Sequence, residues 1–315
     1  MEKILLAAPR GFCAGVAYAI EVVSLALKAH GAPLFVRHAI VHNEWVVRGF
    51  EAQGVVFVED LDDVPVGSPV VFSAHGVSPS VREQAAARGL TVVDATCPLV
   101  TKVHNEAKRF LAKGYLMLYI GHKGHVEAMG TMGHAPDRMI LVETPEEAES
   151  VELPPHDRLA VLTQTTLSVD EVERTLTVLR RRFPHLELPA KEDICFATTN
   201  RQAAVRQMAR DCDLVLVVGS HTSSNSNRLR EVAESLGCEA HLILSADDVQ
   251  PEWRTNYRTV GITSGASTPE DLVESVIGAL VAGQENIPIE VVEAVREEVI
   301  FRPSRDLLAL AVANG

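Results

Sequence analysis

The sequence predicts an α/β fold made of parallel sheets. Short runs of Val, Ile and Leu alternate with stretches of helical periodicity along most of the 315 residues. Continuous apolar runs are typical of strands covered on both faces, and their alternation with helices is typical of parallel sheets. A cysteine stands directly before a helical stretch three times, which predicts three similar domains.

The elements follow one another in a regular order. The expected strands are 3–8, 34–37, 55–58, 69–73, 91–93, 115–120, 158–162, 213–218, 240–244 and 259–263. The expected helices are 16–28, 80–87, 100–112, 169–182, 202–209 and 227–236. Near the C-terminus, the segment EEVIFRPS (297–304) is expected to form a strand.

The repeated unit places Cys13, Cys97 and Cys195 at equivalent positions, 84 and then 98 residues apart. Each interval fits a small α/β domain. The predicted domains are therefore 1–96, 97–193 and 194–284, followed by a C-terminal tail, 285–315, that docks on the body. Ligands gather where parallel strands end and helices begin, so three such units could bring the cysteines to one centre.

Composition limits the class of protein. Hydrophobic residues make up 47% of the chain and charged residues 23%, which is ordinary for a globular protein. No apolar run approaches the ~20 residues of a membrane helix, and Pro9 and Arg10 interrupt the N-terminal run too early for a signal peptide. We therefore expect a cytoplasmic protein. The net charge of −13 argues against broad nucleic-acid binding.

The three repeated cysteines are candidate metal ligands. A helix N-terminus favours the thiolate, which is the form that binds metal, so the set suits an iron–sulfur cluster or a soft metal ion. A four-iron cube held by three thiolates leaves one iron open to a substrate oxygen, whereas zinc needs a fourth ligand. A single cysteine is also a common small core residue, which is the interpretation we adopt for Cys212 and Cys238.

Polar residues cluster where strands give way to loops. Strand-end histidines and hydroxyl-rich helix starts together could bind phosphate, although capping and structural histidines are the alternatives. Glu127 lies in a Gly-rich loop and is either a proton donor or an exposed carboxylate. Neither GxxxxGKS nor GxGxxG occurs, so nucleotide hydrolysis and NAD chemistry lack support. The phosphate candidates are His42, His75, His125, Ser223, Ser224, Asn225 and Ser267.

The sequence resembles the IspH/LytB family of 4-hydroxy-3-methylbut-2-enyl diphosphate reductases from about residue 4 to 275. The resemblance is carried, in order, by PRGFCAGV, VHN, FSAHGVS, DATCPLVTKVH, GHKGHVEAMGTMG, TQTTLSVD, DICFATTNRQ, SSNSNRL and GASTPED. Two departures occur in the fifth motif, where Lys123 replaces a small residue and Val126 replaces the usual Pro.

This resemblance implies a trefoil of three parallel-sheet α/β domains around a central 4Fe–4S cluster. It implies the last step of the non-mevalonate isoprenoid pathway, which yields isopentenyl and dimethylallyl diphosphate. Cys13, Cys97 and Cys195 would ligate the cluster, and the phosphate candidates above would contact the diphosphate. Glu127 would donate a proton, with Thr165 beside the substrate hydroxyl and Thr198 also close to the substrate.

The family also implies an electron donor, reduced ferredoxin or flavodoxin. Both are usually acidic, so a local basic face would be needed on this acidic chain. One predicted helix offers four candidates that could equally form an ordinary solvated face. These are Lys102, Lys108, Arg109 and Lys113.

Overall fold

A computed structural model describes residues 1–284 and 286–314 of the protein. In chain order, its elements are β1 (Lys3–Ala8), α1 (Ala14–His30), β2 (Leu34–Arg37), α2 (Glu44–Glu51), β3 (Val55–Val58), β4 (Pro69–Phe72), α3 (Pro79–Ala87), β5 (Thr91–Asp94), α4 (Pro98–Ala112), β6 (Leu116–Ile120), α5 (Val126–Met132), β7 (Met139–Val142), α6 (Pro145–Ser150), β8 (Leu159–Thr163), α7 (Val169–Arg182), α8 (Phe196–Met208), β9 (Leu214–Val218), α9 (Ser224–Ser235), β10 (Glu239–Ile243), β11 (Thr259–Ser264), α10 (Glu270–Val281), β12 (Ile289–Glu293) and α11 (Arg305–Asn314).

The strands form three sheets, and every strand pairing between these elements is parallel. This arrangement confirms the predicted fold class of three parallel-sheet α/β domains. The chain divides into two compact units, which are described separately. The first comprises Met1–Val16, His42–Val46 and the described residues of Phe196–Ile300, and the second comprises Ala17–Val41, Val47–Cys195 and the described residues after Ile300.

The first unit contains one sheet in the order β10-β9-β11-β1-β12. Because side chains alternate along a strand, the residues of β1 enter two cores. Leu5 packs among apolar residues of α8 and α9, whereas Ile4 packs with β9, β11 and α10. The sheet is therefore covered by helices on both faces, which explains its nearly continuous apolar strands.

The second unit contains two smaller sheets, β3-β2-β4-β5 and β7-β6-β8. All five residues of β6 and of β8 are buried, as expected for the runs LMLYI and LAVLT. One face of the β6 sheet packs on α4 and α5, and the other packs on α6 and α7. Phe72 and Val70 of β4 anchor the core of the first of these sheets.

All ten predicted strands are present, with ends that differ by at most one residue from the prediction. Helix α8 begins at Phe196, six residues before its predicted start. The first turns contain the polar segment ATTN, which lacks the apolar periodicity that predicts a helix. The predicted strand at 297–304 is wrong, since none of these residues lies in a strand. The edge strand near the C-terminus is instead β12, which pairs with β1.

The domain boundaries at 96/97, 193/194 and 284/285 remain predictions, as does the trefoil arrangement. Sheet membership places β1 with β9, β10, β11 and β12. The predicted tail, 285–315, begins and ends at positions outside the described residues. Among the helices of the described chain, none combines the length and the apolar character that crossing a membrane requires.

Candidate active site

In the second unit, Glu127 and Thr165 are joined by two hydrogen bonds. The backbone N–H of Thr165 donates to Glu127 Oε1 over 2.7 Å, and its hydroxyl donates to Oε2 over 2.9 Å. The Glu127 side chain lies in the first turn of α5 and is only 2% exposed. The expectations of a loop residue or an exposed carboxylate are therefore both wrong.

Burial changes the chemistry of this carboxyl group. Loss of solvation raises the pKa of Glu127 to about 7, although the two hydrogen bonds from Thr165 act in the opposite direction. A carboxyl with such a pKa is partly protonated at neutral pH and can give up a proton. The Glu127–Thr165 pair is thus equipped to act as a general acid.

The two histidines predicted in this unit lie near the pair. His125 caps the N-terminus of α5, and its Nδ1 accepts a hydrogen bond from the backbone N–H of Glu127. The ring centroids of His75 and His125 are 6.1 Å apart in an edge-to-face arrangement. The Nδ1 atom of His75 lies 3.2 Å from Ser73 Oγ, which orients its ring.

Two of the predicted cysteines are tied to the same loops. The backbone N–H of Cys97 donates to the carbonyl of Ala74, next to His75, and that of Cys195 donates to the carbonyl of Thr165. The structure therefore connects six predicted residues through neighbouring contacts. They are Cys97, His75, His125, Glu127, Thr165 and Cys195.

Glycines permit the close packing of α5 on the loop after β4. A Cβ atom at Gly130 would lie 3.1 Å from the carbonyl oxygen of Gly76. Gly76 has a φ of +75°, and a Cβ there would approach His104 Cε1 to 2.6 Å. This backbone contact leaves little room for a side chain at Gly130 in EAMGTMG, a reason for the glycine that the sequence pattern did not reveal.

Sequence reasoning missed His104 and His134, which lie behind this loop. Their ring centroids are 4.4 Å apart, and both side chains are buried. Burial lowers the pKa of His104 to about 3 and that of His134 to about 4. Both rings are consequently neutral at pH 7. His104 packs beside Gly76, in the loop that carries His75, without adding a charge there. His104 lies on α4 and His134 in the turn after α5, and neither position stands out in the sequence pattern.

In the first unit, the predicted residues follow three neighbouring strands. Cys13 follows β1, Ser267 follows β11, and Ser223, Ser224 and Asn225 follow β9. The backbone N–H of Cys13 donates to the carbonyl of Ala266 over 3.1 Å, which links the first two of these loops. Parallel strands direct these loops to one edge of the sheet.

The hydroxyl groups in these loops have different roles. Ser223 is the N-cap of α9, where its Oγ accepts from the backbone N–H of Ser226. This capping role is compatible with phosphate binding, because the hydroxyl proton can still be donated to a bound oxygen. Ser267 does not cap α10, whose N-cap is Pro269, and its Oγ donates to the carbonyl of His42 over 2.9 Å. That bond joins the His42 segment to the loop after β11.

Asn225 is the polar side chain that most clearly indicates a ligand. It is 4% exposed, and neither its Oδ1 nor its Nδ2 has a hydrogen-bond partner among the described residues. An unsatisfied buried amide costs free energy unless a bound group satisfies it. Ser224 is half-buried at the start of α9, and Thr198 is buried in the first turn of α8.

The five cysteines, all within the described chain, form no disulfide. Cys13, Cys97 and Cys195 are half-buried, and each directly precedes a helix: α1, α4 and α8, respectively. Burial raises the pKa of Cys212 to about 12. Burial likewise raises the pKa of Cys238. Both are therefore poor metal ligands, as expected for core residues.

Within the described residues, no group of three or more His, Cys, Asp and Glu side chains forms a site that could hold a metal ion. The donor chemistry of the three half-buried cysteines nevertheless fits an iron–sulfur cluster, since cysteine thiolates are its usual ligands and a helix N-terminus favours the thiolate. Of the basic candidates, Lys108 and Arg109 on α4 are exposed, as is Lys113 directly after it. Lys102 instead binds Asp193.

The chain is similar to known proteins over most of its length. The family model described as LytB protein matches residues 4–281. A protein from Ralstonia nicotianae named 4-hydroxy-3-methylbut-2-enyl diphosphate reductase is 54% identical over 278 residues, which cover 88% of this chain and 86% of that protein. A protein of the same name from Mycolicibacterium vanbaalenii is 51% identical over 307 residues, which cover 97% of this chain and 91% of its own.

A solved structure gives the same result for the fold. The E-1-hydroxy-2-methyl-but-2-enyl-4-diphosphate reductase from Plasmodium falciparum superposes with a TM-score of 0.95 and 37% sequence identity. The match covers 99% of this chain and 98% of that one. The resemblance inferred from the motifs is thus confirmed, and the chain belongs to the LytB protein family.

Proposed function

We propose that the protein reduces 4-hydroxy-3-methylbut-2-enyl diphosphate to isopentenyl and dimethylallyl diphosphate, the last step of the non-mevalonate isoprenoid pathway. The reaction breaks the allylic C–O bond, consumes two electrons and two protons, and releases water. The relatives at 54% and 51% identity carry the name of this reductase. The observation that carries the proposal is the buried Glu127–Thr165 pair, because C–O cleavage needs a proton donor.

Proton delivery follows from the geometry of this pair. Protonated Glu127 holds its proton at a carboxyl oxygen within 2.9 Å of Thr165 Oγ1. The Thr165 hydroxyl can give its own proton to the leaving oxygen and take the proton of Glu127 in return. Because the carboxyl is sealed from solvent, the proton is delivered through Thr165 and not through bulk water.

The diphosphate is bound by uncharged hydroxyl and amide groups and by histidines. Each charge-assisted hydrogen bond to phosphate contributes about 1.5–3 kcal/mol, so a few of them suffice without Lys or Arg. Asn225 supports this role, since its buried amide has no partner among the described residues. The proposed contacts are His42, His75, His125, Ser223, Ser224, Asn225 and Ser267, with Thr198 close to the substrate.

A 4Fe–4S cluster, one per chain, is proposed to bind Cys13, Cys97 and Cys195. When bound, it would pass on the two electrons one at a time and offer a Lewis-acidic iron. Reduced ferredoxin or flavodoxin is the proposed electron donor. The exposed Lys108 and Arg109 on α4, with Lys113 directly after that helix, are candidate contacts for such an acidic partner.

The test is turnover of the allylic diphosphate by anaerobically prepared protein with a chemical one-electron reductant. We expect both isomeric products from the wild type, and a loss of turnover by roughly 10²-fold in Glu127→Gln, the scale of general acid catalysis. Glu83→Gln, an exposed glutamate on α3, is the matched control and should be unchanged.

Other outcomes would identify other functions. Cluster-loaded protein without turnover would be a non-catalytic iron–sulfur protein, such as a redox sensor. One zinc per chain would indicate a zinc protein. Metal-free, colourless protein that still binds the diphosphate would be a phosphate-binding module.

A further inference from the structure

In the second unit, Lys102 makes hydrogen bonds to the segment that precedes Cys195. Its ammonium group donates to the carbonyl oxygens of Lys191 and Glu192, both over 2.8 Å. It also donates to Oδ1 of Asp193 over 3.1 Å. These acceptors lie two to four residues before the cysteine, so one side chain of α4 holds the backbone that leads to it.

The carboxylate of Asp193 extends this contact to a third segment. Its side chain has no exposed surface, and its Oδ2 accepts from the backbone N–H of Thr163 over 3.0 Å. Thr163 ends β8, two residues before Thr165. The Lys102–Asp193 ion pair therefore joins the helix after Cys97, the segment before Cys195 and the strand that leads to the proton-donor pair.

The first unit contains a similar arrangement before Cys13. The guanidinium of Arg201, 1% exposed, donates through Nη2 to the carbonyl of Gly11 over 2.8 Å and to that of Arg10 over 3.4 Å. Its Nη1 binds both carboxylate oxygens of Glu297, at 3.1 and 3.2 Å. These carbonyls lie two and three residues before the cysteine.

We propose that Lys102–Asp193 and Arg201–Glu297 are positioning clamps, in which a cation holds the backbone before a cysteine and an acid neutralises that cation. The inference rests on the proposed function, because it takes Cys195 and Cys13 as cluster ligands. Each clamp fixes its cysteine before any cluster binds, which lowers the entropic cost of ordering that ligand. A cation alone would be costly to desolvate, and the paired acid offsets that cost.

The experiment measures alkylation of individual cysteines in the cluster-free, full-length protein by mass spectrometry. Lys102→Met should speed alkylation of Cys195 by about tenfold or more through local opening and leave Cys13 unchanged. Arg201→Met should do the reverse. Loss of a neighbouring cation disfavours the reactive thiolate, so faster alkylation reports mobility of the segment and not a change in charge.

Two matched controls and two internal monitors separate positioning from general destabilisation. Lys108→Met and Arg210→Met remove exposed cations near the same helices and should change neither rate. The thiols of Cys212 and Cys238 report global unfolding. Parallel acceleration of all four cysteines would overturn the proposal, as would unchanged rates at Cys195 and Cys13.

A milder variant of each clamp keeps the proposal testable if a methionine variant fails to fold. Asp193→Asn keeps an acceptor for Lys102 but removes the neutralising charge, so it should speed alkylation of Cys195 less than Lys102→Met does. Glu297→Ala keeps the bonds of Arg201 to the carbonyls and should produce a smaller acceleration, confined to Cys13. No acceleration at Cys13 in Glu297→Ala would contradict a clamping role for that acid.

The rate of anaerobic cluster reconstitution distinguishes the two hypotheses. We expect the clamp variants to incorporate iron severalfold more slowly than the wild type and to reach the same final content. Wild-type protein that takes up no iron would refute the proposed function, whatever the alkylation pattern. Normal iron uptake and turnover in the wild type, together with unaltered alkylation in the variants, would refute the clamps alone.

Discussion

Glu127 and Thr165 form a closed pair in which both carboxylate oxygens accept from one residue. Glu127 lies in the first turn of α5, and Thr165 lies two positions after the last residue of β8. The pair therefore depends on the packing of α5 against the β6 sheet. Its chemistry and its stability are consequently linked.

Glu127→Gln should make the unfolding free energy less sensitive to pH. The pKa of Glu127 is raised from 4.5 to about 7 in the folded protein, so the stability that protonation contributes is complete below about pH 4.5 and is lost as the pH rises through 7. Glutamine does not titrate. Urea unfolding should therefore show the variant to be about 3 kcal/mol more stable than the wild type at pH 8, with little difference at pH 4.5.

In this titration, Glu83→Gln serves as the exposed control and should follow the wild type at every pH. Equal stabilities of Glu127→Gln and wild type at pH 8 would show that the carboxyl is ionised without cost in the folded state.

Thr165→Val should shift the pH dependence of turnover upward. The hydroxyl of Thr165 lowers the pKa of Glu127, so its loss raises that pKa above 7. A general acid acts in its protonated form, and the decline of kcat at alkaline pH should move to higher pH. We also expect kcat to fall by roughly 10²-fold because the relay hydroxyl is missing. Thr165→Ser keeps the hydroxyl and should retain most activity and the original profile.

Asn225→Leu should separate stability from substrate binding. The apolar side chain removes a buried amide that lacks a protein partner, which should stabilise the fold by about 1 kcal/mol. The same change should weaken diphosphate binding by tenfold or more, measured by calorimetry with inorganic diphosphate, since one charge-assisted bond is lost. Asn105→Leu, an exposed change on α4, is the control. Unchanged binding in Asn225→Leu would remove the residue from the phosphate site.

Gly76→Ala should be more damaging than Gly89→Ala. Both glycines have positive φ, but a Cβ at Gly76 would lie 2.6 Å from His104, whereas nothing lies within 4 Å of one at Gly89. Thermal unfolding should show a loss of about 1 kcal/mol for Gly89→Ala and about 2–4 kcal/mol for Gly76→Ala. Equal losses would mean that the His104 side chain moves aside without cost.

Much of the fold is predictable from the sequence because buried parallel strands are continuous apolar runs. The strands β6 and β9 illustrate this, since every residue of each is buried. The strands β7 and β12 escape detection for different reasons. The run of β7, MILV, includes Met and Leu, which favour helices. The strand β12 is an exposed edge whose run IEVVE mixes charged and apolar residues.

The candidate site is less completely predictable. Motifs identify residues that follow strands, such as His75 and Asn225, because ligands bind at the carboxyl ends of parallel strands. They do not identify partners that act from other elements. The sequence pattern places Lys102 on a basic helix face. In the structure its ammonium group donates to Asp193, which is 91 residues away in sequence. Contacts of this separation depend on the fold and leave no local pattern.

The most direct test of the proposed function is iron and sulfide analysis with Mössbauer spectroscopy of the anaerobically reconstituted protein. The proposal predicts about four irons and four sulfides per chain, with one iron whose signal changes when the diphosphate substrate is added. Cys13→Ser, Cys97→Ser and Cys195→Ser should each lose the cluster, whereas Cys212→Ser should retain it. A full four-iron spectrum in any of the first three variants, or a single zinc in the wild type, would contradict it.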